Sequence, residues 1–298
     1  MDPIVVFGFD METDVGSWSP YYEGIKNATP KMLRTLDEYD VPATFFFTGD
    51  AAREFPDIVR TVSDAGHEVG CHSLYHETVG DPLFPIPGVQ PLLPEEVPLR
   101  LRRATEIVAE SLGDRPVSFR CPRLWGSTAV INALEDLGYV ADASYPLYFY
   151  EEQLAPYHPS ADNWTKAGDL DLLEIPNFAD MGMQSEDEYG RDRDQWPLFR
   201  TESARALTKH VNSFIEYVEE RNIRPVLCFY MHPWEFERMP ERIHYGEGTV
   251  IPDEFIVKNC GEYALQQLAE LISLLQDAGS VFLTARDLAA EWDDIKQE

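Results

Sequence analysis

The chain reads as an α/β barrel. Apolar strand-like runs alternate with helix-like segments from end to end, and seven or eight such units follow one another. Repeated alternation implies parallel strands joined by crossover helices, and that many units favour a closed barrel over an open sheet. The 298 residues show no linker, low-complexity tract or internal repeat, so a single barrel domain over 1–298 is expected.

The first strand is Ile4–Phe9. Asn27-Ala28-Thr29-Pro30 then caps a helix whose Met32, Leu33, Leu36 and Tyr39 fall at helical spacing. Ala43–Phe47 reads as a buried strand, Ala51–Ala65 as a helix closed by Gly66, and Glu68–His72 as a strand. Glu95–Leu112 is an amphipathic helix stopped by Gly113. Val117–Arg120 is a strand, Ser127–Leu137 a helix ended by Gly138, and Tyr139–Asp142 a strand. Leu172–Ile175 and Val226–Met231 are strands flanking a helical stretch, Glu202–Arg221. A helix over Glu262–Ala278, a strand Val281–Leu283 and a short helix to Trp292 complete the pattern. Two stretches break the rhythm, Gly80–Pro98 and Tyr145–Asn163. Both follow strand ends, where barrel enzymes keep their substrate loops.

Fifty-three acidic against 24 basic side chains give a formal net charge of −29. That excess argues against nucleic acid, which needs clustered Lys and Arg, and against anionic membrane surfaces. The acids are dispersed and lysines number only six, a balance that resembles the proteins of salt-in halophiles. Molar salt would screen such a surface over ~3 Å, so loss of structure or activity at low salt is expected. A merely acidic mesophile protein is the alternative. Aromatics at 12% exclude intrinsic disorder, and no apolar run approaches the ~20 residues of a membrane span. The start, Met1-Asp2-Pro3-Ile4-Val5-Val6, has no basic n-region, so a cytoplasmic protein is expected. Cys71, Cys121, Cys228 and Cys260 are far apart, without C-x-x-C, and read as buried free thiols.

Five polar sets close five strands. His72-Ser73-Leu74-Tyr75-His76 carries two His four apart, which on one helical turn could share a metal; such pairs also arise by chance. Phe9-Asp10-Met11-Glu12-Thr13-Asp14 places Asp10 and Glu12 on one side of an extended segment, paired, solvated or metal-bound. Asp14 reads as a solvated loop acid. The others are Arg120-Cys121-Pro122-Arg123, Asp142-Ala143-Ser144-Tyr145-Pro146 and Met231-His232-Pro233-Trp234-Glu235. A barrel active site requires polar groups of this kind at the C-terminal ends of several strands.

The order of these motifs resembles the polysaccharide deacetylase family, the NodB-homology domain of carbohydrate esterase family 4. The resemblance runs from Phe7 to about Leu288, and the Asp-x-Glu and His-Pro-Trp-Glu forms look most like the branch of polysaccharide biosynthesis clusters. It implies a distorted (β/α)7 barrel and one divalent cation, zinc by preference, held by His72, His76 and a motif-one carboxylate. The family's usual second Asp is Met11 here, which makes Glu12 the natural substitute and leaves Asp14 as the other choice. By the same resemblance Asp10 is the general base, oriented by Arg120, and the backbone N–H of Arg123 receives the oxyanion. His232 protonates the leaving amine, with Asp142 as its partner. Arg120 could instead be a plain structural ion pair, and Asp142 a turn cap. Tyr145 and Trp234 adjoin the motifs closely enough to be nominated for a sugar face.

The activity implied is removal of acetyl from an N-acetylated sugar in a polysaccharide, oligosaccharide or lipid-linked glycan. The alternatives are an amidohydrolase of the same fold acting on a small linear or cyclic amide, and a barrel that binds glycans without catalysis. The sequence leaves the oligomeric state open.

Overall fold

A computed structural model describes residues 1–296. Eight parallel strands form one sheet: β1 (Ile4–Met11), β2 (Thr44–Phe47), β3 (Glu68–Cys71), β4 (Ser118–Phe119), β5 (Ala141–Asp142), β6 (Leu173–Glu174), β7 (Val226–Met231) and β8 (Val281–Phe282). Each predicted strand is present, in the predicted order. The ring runs β7–β1–β2–β3–β4–β5–β6 and closes where Asn177 pairs in parallel with Cys228 of β7. Strand β8 pairs only with Ile4 and Val5 of β1. The barrel is therefore seven-stranded and distorted, because three strands are two residues long and closure rests on an isolated bridge.

The alternation along β1 decides where its polar groups go. Val5, Phe7, Phe9 and Met11 pack outward against the helices, whereas Ile4 and Val6 belong to a separate interior cluster. Asp10 follows the interior set at a two-residue step. The interior is closed below by Leu288 and Trp292 of the last helix, α8 (Ala285–Ile295). Burial on both faces explains the uninterrupted apolar reading of Ile4–Phe9.

The helices around the ring are α1 (Thr29–Glu38), α2 (Gly49–Glu54), α3 (Pro56–Asp64), α4 (Val97–Leu112), α5 (Thr128–Asp136), α6 (Ala204–Glu219) and α7 (Glu262–Asp277), before α8. Ser127, Ser203 and Thr284 cap α5, α6 and α8 through their side-chain oxygens. The stretch read as one helix over Ala51–Ala65 is two. Pro56 forces Phe55 out of the helical region and starts a new helix. Likewise Glu202–Arg221 shrinks to α6, because Ser203 is extended and a separate turn, Leu198–Thr201, precedes it. Two small antiparallel hairpins, Pro159–Ser160 with Asn163–Ala167 and Ile243–Tyr245 with Gly248–Val250, lie off the barrel. Among the described residues no helix is long and apolar enough to cross a membrane. All four cysteines are free, and Cys260 is only partly buried.

Candidate active site

The C-terminal ends of β1, β3, β4 and β7 deliver Asp10, Glu12, His72, Arg120 and His232 to one mouth. His72 and His76 do not share a helical turn. His72 leaves the end of β3, and the chain folds back through left-handed residues at Ser73 (φ 65°) and His76 (φ 60°). That turn brings the second imidazole beside the first, with ring centroids 5.2 Å apart.

Glu12 sits between them. Its Oε2 lies 3.4 Å from His72 Nε2 and in close contact with His76 Nε2, and its Oε1 lies 3.8 Å from His232 Nε2. One ligand atom from each of Glu12, His72 and His76 lies within 4.8 Å of the others. The far side of each ring is fixed. His72 Nδ1–H donates to the Arg120 carbonyl at 2.8 Å, which leaves its Nε2 lone pair facing Glu12; His76 Nδ1 is hydrogen-bonded to Ser17 Oγ at 2.6 Å, and with Nδ1 as the donor its Nε2 presents a lone pair to Glu12 as well. His72 Nε2 and Glu12 Oε2 are buried and accept or donate no hydrogen bond. Three lone-pair donors converging inward without a proton donor between them fit a divalent cation. Burial pushes Glu12 up, but the imidazoles around it hold its carboxyl well below the usual range. Burial also lowers the His76 pKa.

Asp10 and Arg120 form a fully buried pair, Oδ1 to Nη1 at 2.9 Å. Arg120 spans the barrel interior. Its other nitrogens donate to the carbonyls of Ala143 (3.0 Å) and Phe229 (3.3 Å), and its guanidinium lies over the Phe46 ring. This fixes the Asp10 carboxylate against the mouth.

His232 has a different partner from the one expected. Asp142 lies deep in the interior. Its Oδ1 accepts from Ser144 Oγ, and it faces the buried carboxyl of Glu174, out of contact with His232. The backbone folds His232 onto Glu235 instead, through the turn Pro233–Phe236, and Glu235 Oε1 accepts from His232 Nδ1 at 2.9 Å. Arg200 Nε (2.5 Å) and Trp196 Nε1 (2.9 Å) hold Glu235 in turn. Burial pulls the His232 pKa down, but the Glu235 hydrogen bond and the Glu12 charge raise it on balance. Gly24 permits this arrangement: a Cβ there would lie 2.3 Å from the Trp234 nitrogen, so the segment can pack against the β1–α1 connection.

Tyr145 is also displaced from the role expected for it. It is wholly buried in an aromatic cluster with Tyr150, Tyr157 and Trp164, away from the mouth. Asp14 is no loop acid in solvent. It is buried, with its carboxylate accepting from the backbone N–H groups of Glu23 and Gly24. Trp234 does reach the cleft, stacked on His232 with centroids 5.1 Å apart.

The mouth opens into a cleft of about 490 Å³ walled by Trp18, Trp196, Trp234, Ile86, Arg123, Val250, Ile251, Pro252, Asp253 and Ile256. A smaller chamber of about 200 Å³ lies against Asp10, Glu12 and His232, and adds Tyr148, Asp194 and Tyr230 to the wall. Sequence reading passed over Ser17, Trp18, Asp194, Trp196, Arg200 and the Gly248–Val250 strand. None of these has a spacing that points to the site; Glu235, visible in His-Pro-Trp-Glu, does point back to His232 but was given no role.

The family profile of polysaccharide deacetylases matches residues 4–141, which carry β1 to the start of β5 and hold Asp10, Glu12, both histidines and Arg120. Over this stretch, a little under half of its length, the chain is similar to the polysaccharide deacetylase family. It is 25% identical over 203 residues to the peptidoglycan deacetylase of Helicobacter pylori, covering 58% of this chain and 64% of that one. Across the curated relatives it matches, the similarity spans less than two thirds of their length. A Mycobacterium smegmatis protein described as a polysaccharide deacetylase has the same fold, with TM-score 0.61 and 20% identity over 97% of this chain and 90% of that one. The Puue allantoinase does too, with TM-score 0.63 and 16% identity over the same shares. These likenesses bear out the distorted (β/α)7 barrel of this family.

Proposed function

We propose that this protein is a polysaccharide deacetylase, a metal-dependent hydrolase that removes acetyl from an N-acetylated sugar. The observation that carries the reading is the convergence of Glu12, His72 and His76 beside the Asp10–Arg120 pair, with His232 across the cleft. The residues fit zinc, which takes imidazole nitrogen and carboxylate oxygen and in catalytic sites has three protein ligands. When bound, such an ion polarises the amide carbonyl and makes water acidic near neutral pH.

The chain's own groups do the rest. Asp10 accepts the proton of the attacking water, and Arg120 holds that carboxylate in its orientation. The backbone N–H of Arg123 donates to the oxyanion; its left-handed φ of 62° turns the peptide after Pro122. His232, kept protonated by Glu235, delivers a proton to the leaving amine. The aromatic walls of the cleft suit the apolar faces of sugar rings. The deacetylase names of the relatives support an N-acetyl sugar as substrate. A reducing compartment suits the four unpaired cysteines. A second reading, hydrolysis of a small polar amide, draws on Asp194 and Tyr230, which place a hydrogen-bonded carboxylate and phenol in the wall of the inner chamber.

The test joins metal content to turnover. Wild-type protein should carry about one ion per chain and release acetate from N-acetyl sugars, and His76→Ala and Glu12→Ala should lose both. Metal-free wild type after reconstitution would overturn the reading. Metal with turnover of small amides but of no N-acetyl sugar would favour the second.

A further inference from the structure

We infer that the side chain of Arg123 selects a substrate bearing an anionic substituent, a carboxylate by preference, so that the sugar processed is an acidic one. The inference rests on the deacetylase reading and adds the class of sugar.

Arg123 forms part of the wall of both the outer cleft and the inner chamber. It is anchored, not loose: Nη1 donates to the His76 carbonyl (3.2 Å) and Thr78 Oγ1 (3.3 Å), and Nη2 donates to Ser17 Oγ (2.9 Å). Every one of those acceptors is neutral. Among the described residues no carboxylate makes an ion pair with it, although the chain carries 53 acidic side chains. The other two guanidinium groups turned into the barrel region are treated differently, Arg120 being matched by Asp10 and Arg200 by Glu235.

A half-desolvated cation without a counter-ion is costly unless something else supplies the charge. Glu12 lines the same cleft and chamber, but it is turned toward His72, His76 and His232 and makes no ion pair with Arg123. A divalent cation on Glu12, His72 and His76 would satisfy that carboxylate and leave Arg123 wholly uncompensated. Three of the five guanidinium N–H groups are engaged, which leaves one on Nε and one on Nη2 for a ligand. Two adjacent N–H donors match the two oxygens of a carboxylate. The same surface charge of −29 that would repel an acidic glycan elsewhere makes this cation the place where one can dock.

The experiment uses a matched pair of probes, N-acetylmuramic acid and its methyl ester, which differ in one charge. Binding to metal-loaded full-length protein is read from the fluorescence of the cleft tryptophans, in wild type, Arg123→Gln and Arg123→Lys. Wild type should bind the acid about tenfold or more tighter than the ester. Arg123→Gln should bring that ratio to about one, and Arg123→Lys should keep part of it, which separates lost charge from lost fold. Equal binding of acid and ester by wild type, no binding of either, or an unchanged ratio in Arg123→Gln would each overturn the inference. Acetate release from the same two sugars is scored separately. Charge-selective binding without acetate release faults the deacetylase reading alone, and acetate release with equal use of both sugars faults only the role given to Arg123.

Discussion

Replacing Glu174 with Gln should stabilise the protein above neutral pH. Glu174 and Asp142 face one another with neither side chain exposed, and Asp142 Oδ2 and Glu174 Oε2 have no other partner. Two carboxylates so placed must share a proton. Burial comes first among the causes, raising Asp142 to about 6 and Glu174 well above its ordinary value. Both groups are ionised above about pH 5 in the unfolded chain. The folded state therefore holds more protons than the unfolded one, and stability falls as pH rises. The loss begins near the unfolded values, and the Asp142 part is complete above about pH 6. For Asp142 alone the shift corresponds to about 3 kcal/mol, with the Glu174 step acting in the same direction.

Gln at position 174 keeps Oε1 for the N–H groups of Ser144 (3.0 Å) and Tyr145 (2.8 Å) and turns an amide N–H toward Asp142. It removes the need for the shared proton without leaving an orphan. The gain at pH 8 should be on the order of 2 kcal/mol, or a few degrees in Tm. Thermal denaturation at pH 5 and pH 8 measures it: the variant should be favoured at pH 8 and show a flatter dependence between the two. A variant less stable than wild type at pH 8, with an unaltered slope, would refute the shared proton. The pH–rate profile should not move, because neither carboxyl touches His232.

Glu235→Gln should do the opposite. It removes the charge that sustains protonated His232, so the alkaline limb of kcat/KM should move down by about one to two pH units, the worth of a charged hydrogen bond. It also strands buried Arg200, at a cost of about 3–5 kcal/mol in urea unfolding; an unmoved limb would deny Glu235 its positioning role. Gly8→Ala would place a methyl 2.1 Å from Arg120 Nη1, and Arg120 is too tightly held to yield. A loss of about 1–3 kcal/mol and a fall in kcat are expected, and wild-type values for both would show that the Arg120 pose is not needed.

Strand order was legible because parallel strands buried on both faces read as continuous apolar runs, and Ile4–Met11 is buried throughout. The same geometry made Asp10 and Glu12 visible as a pair. What escaped was carried by backbone turns and long-range packing. The left-handed residues at Ser73 and His76 have no glycine to announce them, so a helical spacing was inferred where a tight turn acts. Tyr145 lies next to a motif in sequence, yet an aromatic neighbour of a strand end is as easily core as cleft wall, and Trp164 and Tyr157 draw it inward. Asp142 and Glu235 were equally near in sequence to groups they could serve. Only the fold shows that Glu174 engages one and His232 the other. Trp18, Trp196, Val250 and Ile256 come from segments without periodicity, brought together over the mouth by connections of no regular pattern.

The charge balance of the mouth distinguishes the carboxylates that sequence alone left equivalent. Asp10, Glu12 and Glu235 are all buried, and each would be expensive there without a partner. Arg120 supplies one for Asp10 and Arg200 one for Glu235. Asp14 is satisfied by two backbone N–H groups at the turn before α1. Glu12 alone has no arginine, lysine or backbone donor on its Oε2, and the groups that surround it are imidazoles whose own N–H is committed elsewhere. Protonating those imidazoles would satisfy Glu12 only by burying two further charges, and burial already disfavours the charged form of His76. A divalent cation meets all three at once. On that asymmetry between Glu12 and the other buried acids rests our proposal that Glu12, and not Asp10 or Asp14, is the carboxylate ligand.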